Sequence, residues 1–140
     1  MTEIEYYYQT IGRILVYLIN RGLARVDLQA QDAMEIMTER RGDEEEVVKA
    51  FADCLRWMQD EGLIRVARST DYVGGGYHFA GVQLTSKGIA VIKTDTKDDE
   101  IGGSIEKKVS DGANLDASTY TKIGEFVGSF LGSLTKSLAS

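Results

Sequence analysis

Proline is missing altogether from this sequence, where an average chain of 140 residues would carry about seven. That absence removes rigid turns and helix breakers and favours a helix-rich protein. Cysteine and histidine occur once each, as Cys54 and His78. A lone cysteine excludes an internal disulfide framework, and one cysteine with one histidine does not make a zinc site. Basic charge is in deficit: 16 Lys and Arg face 22 Asp and Glu, a net charge of −6, which does not advertise nucleic-acid binding. No run approaches the roughly 18 uncharged apolar residues of a membrane span. The opening Met1-Thr2-Glu3-Ile4-Glu5 is acidic where a signal peptide is basic, so a soluble, cytoplasmic protein is expected. At this length a single domain buries roughly 68–70% of its unfolded surface, enough for a core without covalent staples.

What is present is legible helix punctuation. Thr2 with Glu5 forms a capping box ahead of apolar residues at Ile4, Tyr7, Ile11, Ile14, Leu15 and Leu18, and Gly22 closes that helix. Leu23–Asp27 reads as a short strand, after which Asp27 is expected to cap a second helix carrying Ala30, Ala33, Met34 and Met37, stopped by Gly42. Asp43 caps a third helix, with Glu46 at the box position, Val47, Val48, Phe51, Cys54, Leu55 and Met58 on one face, and Gly62 at its end. The period then changes. Leu63–Arg68 and Tyr77–Leu84 are rich in strand formers and flank a glycine-rich turn over Ser69–Gly76, which predicts a hairpin over 63–84. Thr85 caps a helix through Ile89, Val91 and Ile92. Residues 94–118 turn polar and predict a linker, with one short helix at 99–110. A long amphipathic helix follows from Thr119, with Ile123, Phe126, Val127, Phe130, Leu131, Leu134 and Leu138 in one stripe.

Helix, short strand, two helices and a hairpin is the order of a winged helix-turn-helix domain. Glu61-Gly62-Leu63-Ile64 at the entry to the hairpin and Leu84-Thr85-Ser86-Lys87-Gly88 at its exit resemble winged-helix regulators of the PadR and MarR kind, over about residues 43–93. The whole chain is also similar to small winged-helix proteins carried by phages and mobile elements. The fold expected is therefore α+β: a winged helix-turn-helix domain over 1–93, a polar linker over 94–118, and a C-terminal interaction helix over 119–140. The Leu-Thr-x-x-Gly segment also has a reading of its own, as a last core residue of the strand followed by a helix N-cap.

In a DNA-reading winged helix the third helix enters the major groove by its N-terminal end. Here that end is Asp43-Glu44-Glu45-Glu46, which opposes phosphates and departs from the family pattern, although carboxylates at this position also stabilise the helix through its dipole. Lys49 and Arg56 alternate with Asp53 and Asp60 along the same face. The candidate DNA contacts are Arg40, Arg41, Lys49, Arg65 and Arg68, the alternative for each being a solvated surface charge. Catalysis has little support. His78 is read as a half-buried structural residue on a strand face with Ala80, Val82 and Leu84, and Cys54 as a small core residue. The Gly74–Gly76 triplet lacks the Lys-Ser/Thr ending and the following helix of a phosphate loop. Trp57 and Tyr6, Tyr7 and Tyr8 could stack on single-stranded bases, but without surrounding cations they read as core and interface. No catalytic residue, cofactor or metal is expected.

The C-terminal helix repeats glycine every four residues at Gly124, Gly128 and Gly132. Three glycines inside a helix cost roughly 1 kcal/mol each relative to alanine, and a closely packed partner helix offsets that. Ile123, Gly124, Val127, Gly128, Leu131, Gly132 and Leu134 are therefore the candidate seam of a homodimer, docking onto the chain's own core being the alternative. Membrane contact is disfavoured by the shortage of Lys and Arg on the polar face. The function expected is that of a non-catalytic regulator or adaptor acting through protein–protein contacts and self-association; the alternative is a DNA-binding transcriptional regulator.

Overall fold

The computed structural model of the chain describes residues 1–38, 41–112 and 115–139, the last five of these as helix backbone only. Six helices and four short strands form an α+β fold: α1 Glu3–Ile19, β1 Val26–Gln29, α2 Ala30–Ile36, α3 Glu44–Asp60, β2 Ile64–Arg65, β3 Arg68–Asp71, β4 Tyr77–Leu84, α4 Ser86–Lys93, α5 Ile105–Ser110 and α6 Ala117–Ala139. The sheet is antiparallel and open. β4 is central, with β1 on one side and the interrupted strand β2–β3 on the other. Helices followed by such a sheet are compatible with a winged-helix layout.

The caps of α1 and α3 act where the sequence places them. Thr2 Oγ1 accepts the Glu5 amide at 3.2 Å, and Asp43 Oδ1 accepts the Glu46 amide at 3.0 Å. The Leu-Thr-x-x-Gly segment is a structural joint. Thr85 Oγ1 accepts the Gly88 amide at 3.0 Å and donates to the carbonyls of Gly62 and Leu63. A side chain at Gly88 would overlap the Leu63 carbonyl, so glycine there lets α4 lie against the end of α3.

Three expectations are corrected. The second helix does not start at Asp27 or run to Gly42. The Asp27 carboxylate accepts the Gly81 amide at 3.0 Å, and Leu28, fully buried, pairs with Phe79, so the chain stays extended to Gln29. Gln29 then donates its own amide to Asp32 at 2.7 Å, and α2 ends at Ile36. His78 does not share a face with Val82 and Leu84. Against β1 the register slips by one residue between Phe79 and Val82, at Gly81, whose φ of +66° suits glycine and makes a bulge. The inward set is Tyr77 and Phe79, then Val82 and Leu84. His78 thus falls on the outer face, its Nε2 3.3 Å from Asp27 Oδ2.

The segment read as a linker is packed. Ile101 and Ile105 are buried in the common core, and Asp98 Oδ1 accepts the amides of Glu100 and Ile101. The short helix is confined to Ile105–Ser110, with Ser104 as its cap. α6 then lies antiparallel on α1, the most extensive helix pairing in the molecule. Its Ile123 and Val127 are fully buried in the same cluster as Ile14, Leu15, Phe51 and Leu55. The α6 stripe therefore completes the one core that the rest of the chain builds.

Candidate functional site

α6 shows first what its glycines are for. A Cβ on Gly124 would overlap the backbone carbonyl of Tyr8, and a Cβ on Gly12 would overlap that of Tyr120. The two helices approach through a reciprocal pair of glycines on the same chain. The Tyr8 ring lies over Gly128, at 3.0 Å from the position of a Cβ there. Arg13 closes the far end, its guanidinium 4.3 Å from the Tyr120 ring and bonded to Gln9 and Thr38. The expected dimer seam is corrected accordingly. Ile123, Gly124, Val127 and Leu131 are buried against their own chain, and Gly128 is covered by Tyr8. Only Gly132, with nothing within 4 Å of a Cβ, and Leu134, 39% exposed, remain outward. The side chain of Leu138 lies outside the described residues.

The five candidate DNA contacts are dispersed. Arg40 lies outside the described residues. Arg41 pairs with Glu3 at 3.2 Å. Lys49, on the exposed face of α3, holds Asp53 at 2.8 Å, a bond that raises its pKa. Arg65 and Arg68 are exposed on β2 and β3, opposite Gln83 and Ala80, with no ion pair among the described residues. What the structure brings together is a different set. Asp53 lies between Lys49 and Arg56, the latter at 3.8 Å, and Arg56 reaches across to Asp71 on β3 at 2.9 Å. Lys49–Asp53–Arg56–Asp71 is one chain of alternating charge running from α3 to the hairpin. The Lys49/Asp53 and Asp53/Arg56 spacings are helical neighbours and readable in the sequence. Asp71 is not, because only the folded hairpin delivers it.

This ionic chain borders a cleft of about 290 Å³ between α3 and the β3–β4 turn. Its walls include Val48, Ala52 and Tyr77, with Lys49, Arg56 and Asp71 also lining it, and Tyr72, Gly75 and Gly76 from the turn. The Tyr77 hydroxyl donates to the Val48 carbonyl at 2.8 Å, and burial pushes its pKa up. At the tip, Tyr72 is 51% exposed and Val73 wholly so, an apolar pair held out beside Gly74 and Gly75, both at positive φ.

Cys54 belongs to α3 and His78 to β4. Cys54 is buried, its thiol donating to the Tyr7 carbonyl at 3.6 Å, and desolvation pushes the thiol pKa up. Native Cys54 is expected to react with a disulfide reagent on the order of 100-fold more slowly than in the denatured chain, since the thiolate is the reactive form. A native rate close to the denatured one would show that the thiol is open. His78 sits on the outer face of the sheet beside Asp27, whose carboxyl is held below its usual range by the Gly81 amide and then by His78. Among the described residues no group of three or more His, Cys, Asp and Glu is placed to hold a metal ion, and no helix is long and apolar enough to cross a membrane. Comparison of the chain with family models, curated proteins and solved structures returns no match.

Proposed function

We propose that this chain is a non-catalytic winged-helix adaptor that takes a protein partner in the cleft between α3 and the wing formed by β3 and β4. One observation carries the reading: the cations of α3 are paired with carboxylates of the same chain. Lys49 and Arg56 are committed to Asp53 and Asp71, and the end of α3 that would enter a groove presents Glu44, Glu45 and Glu46. A DNA-reading surface needs cations free to displace counterions at phosphates. Mixed charge around an apolar floor, with an exposed Tyr72 at its mouth, suits a protein segment better, since tyrosine is enriched among residues that dominate such interfaces. α6 is a structural helix in this reading, and of the seam expected for self-association Gly132 and Leu134 are, among the described residues, the ones left outward.

The second reading, a DNA-binding regulator of the PadR and MarR kind, is favoured by Arg65 and Arg68, exposed on the sheet without an ion partner among the described residues. Fluorescence anisotropy separates the two. With a mixed-sequence duplex at physiological salt, binding is expected no tighter than about 1 µM, the range of non-specific contacts. The Asp53→Asn/Asp71→Asn double variant, which releases Lys49 and Arg56, is expected to bind more tightly and to show a steeper salt dependence. Nanomolar, sequence-selective binding lost on Lys49→Ala would overturn the adaptor reading. A photo-crosslinker at Val73 is expected to capture a protein from nuclease-treated lysate, and Tyr72→Ala to lower that capture about fivefold or more, the effect of one interfacial aromatic.

A further inference from the structure

A second cleft, of about 300 Å³, opens on the other side of α3 beside the start of α1. Tyr7, Tyr8, Trp57, Ile4, Ile11 and Cys54 line it, and Asp53 is its single charged group among the described residues. Small-molecule sites have this composition: apolar and aromatic walls with a few polar groups that fix orientation. The polar group here is only partly committed. Asp53 Oδ2 receives the Tyr7 hydroxyl at 3.2 Å and the Lys49 ammonium at 2.8 Å. Oδ1 has, among the described residues, only the Arg56 guanidinium at 3.8 Å, beyond hydrogen-bond reach. Arg56 makes its short contact with Asp71 instead. One carboxylate oxygen is therefore left open to a positive charge, in a side chain 35% exposed.

The surroundings select the sign of a ligand. Glu5 occupies the first turn of α1 beside Ile4, Glu3 of the same turn being paired with Arg41, and the chain as a whole carries −6. Aromatic rings carry negative charge density on their faces and attract cations for that reason. We propose that this cleft binds a small hydrophobic organic cation, its apolar body against Tyr7, Tyr8 and Trp57 and its charge beside Asp53. An anion meets the carboxylate and the aromatic faces unfavourably. A neutral ligand of the same size gains only the burial of its surface. Lys49, on Oδ2, already offsets part of the Asp53 charge, so it weakens the pull of the carboxylate on a ligand's charge without having to leave.

The test uses the full chain. Trp57 is the only tryptophan, so its emission reports on the cleft directly. Benzyltrimethylammonium is expected to change that emission saturably with a Kd near or below about 1 mM, benzyl alcohol to bind about tenfold more weakly, and benzenesulfonate not to bind. Asp53→Asn is expected to weaken the cation about tenfold and leave benzyl alcohol unchanged, the loss of one charge contact. Because Asp53→Asn also breaks the contact with Lys49, Lys49→Gln serves as the second variant. It removes the neighbouring positive charge and is expected to tighten cation binding severalfold while leaving benzyl alcohol unaltered. Equal affinity for the cation and benzyl alcohol would overturn the proposal, as would an anion binding as well as the cation. So would an absent response to the cation, or cation affinity indifferent to both variants.

Discussion

Alanine at Gly124 is expected to cost the protein on the order of 3 kcal/mol, whereas alanine at Gly132 is expected to add roughly 1 kcal/mol. The two glycines belong to one repeat on one helix, so propensity alone treats them alike. Their surroundings do not. A Cβ on Gly124 would run into the carbonyl of Tyr8, which is backbone on a packed helix and has no rotamer with which to yield. Relief requires α1 and α6 to separate, which loosens Ile123 and Val127 in their fully buried positions. Gly12, whose Cβ would meet the Tyr120 carbonyl, is the reciprocal contact and is expected to behave like Gly124. Gly128 is intermediate, since what faces it is the Tyr8 ring, a side chain that can swing aside. Gly132 faces open space, so alanine there only removes the entropy cost of glycine. Urea unfolding of the four variants, followed through Trp57, checks the order. A neutral Gly124→Ala with a destabilising Gly132→Ala would mean that α6 packs elsewhere.

The glycine repeat also shows how far the sequence could be read. Spacing of four with an adjoining apolar stripe announced a surface for close helix approach, and that surface exists. Which helix approaches is decided by residues more than a hundred positions away, at Tyr8 and Gly12, and no local period encodes that. The same division runs through the fold. Caps at Thr2, Asp43 and Thr85 act within three residues and were readable. Asp27 looked like another cap, but its carboxylate is claimed by Gly81, 54 positions on. That bulge also moved His78 to the outer face, because one extra residue in a strand inverts every later side chain. At the candidate site, Lys49, Asp53 and Arg56 were visible as helical neighbours of alternating sign. Their closure through Asp71, which turns three surface charges into a wall between two clefts, depends on the hairpin folding back onto α3.

α3 accordingly borders two clefts besides its buried face. Asp53 belongs to both, lining the aromatic cleft and holding Lys49, which lines the other. A cation beside Asp53 on one side would weaken the hold of that carboxylate on Lys49 on the other. Occupancy of the aromatic cleft would then raise the positive charge of the α3–wing face, and by linkage a partner that binds Lys49 would favour occupancy of the aromatic cleft.

A fragment of residues 1–93, which the sequence presents as a free-standing domain, is expected not to unfold cooperatively. Removing the remainder takes away Ile101, Ile105, Ile123, Val127 and Leu131, all buried in the common cluster. Each such side chain is worth about 1.5–3 kcal/mol when fully buried. Their loss alone is comparable with the roughly 5–15 kcal/mol by which a whole domain is stable. The loss is compounded on α1, where Ile11 and Arg13 lie under cover in the intact chain, and Gly12 would be left as a bare glycine within an exposed helix face. The fragment is expected to keep helical far-ultraviolet dichroism while losing the near-ultraviolet signal of Trp57 and its neighbouring tyrosines, the signature of a collapsed chain without fixed packing. Adding residues 94–139 as a separate peptide is expected to restore part of that signal, because the α6 face is complementary to α1 whether or not the two are covalently joined. A fragment that melts sharply within a few degrees of the intact protein would instead make α6 an appendage. In that case Ile123, Gly124 and Val127 would be free to leave α1 for a second copy of the chain.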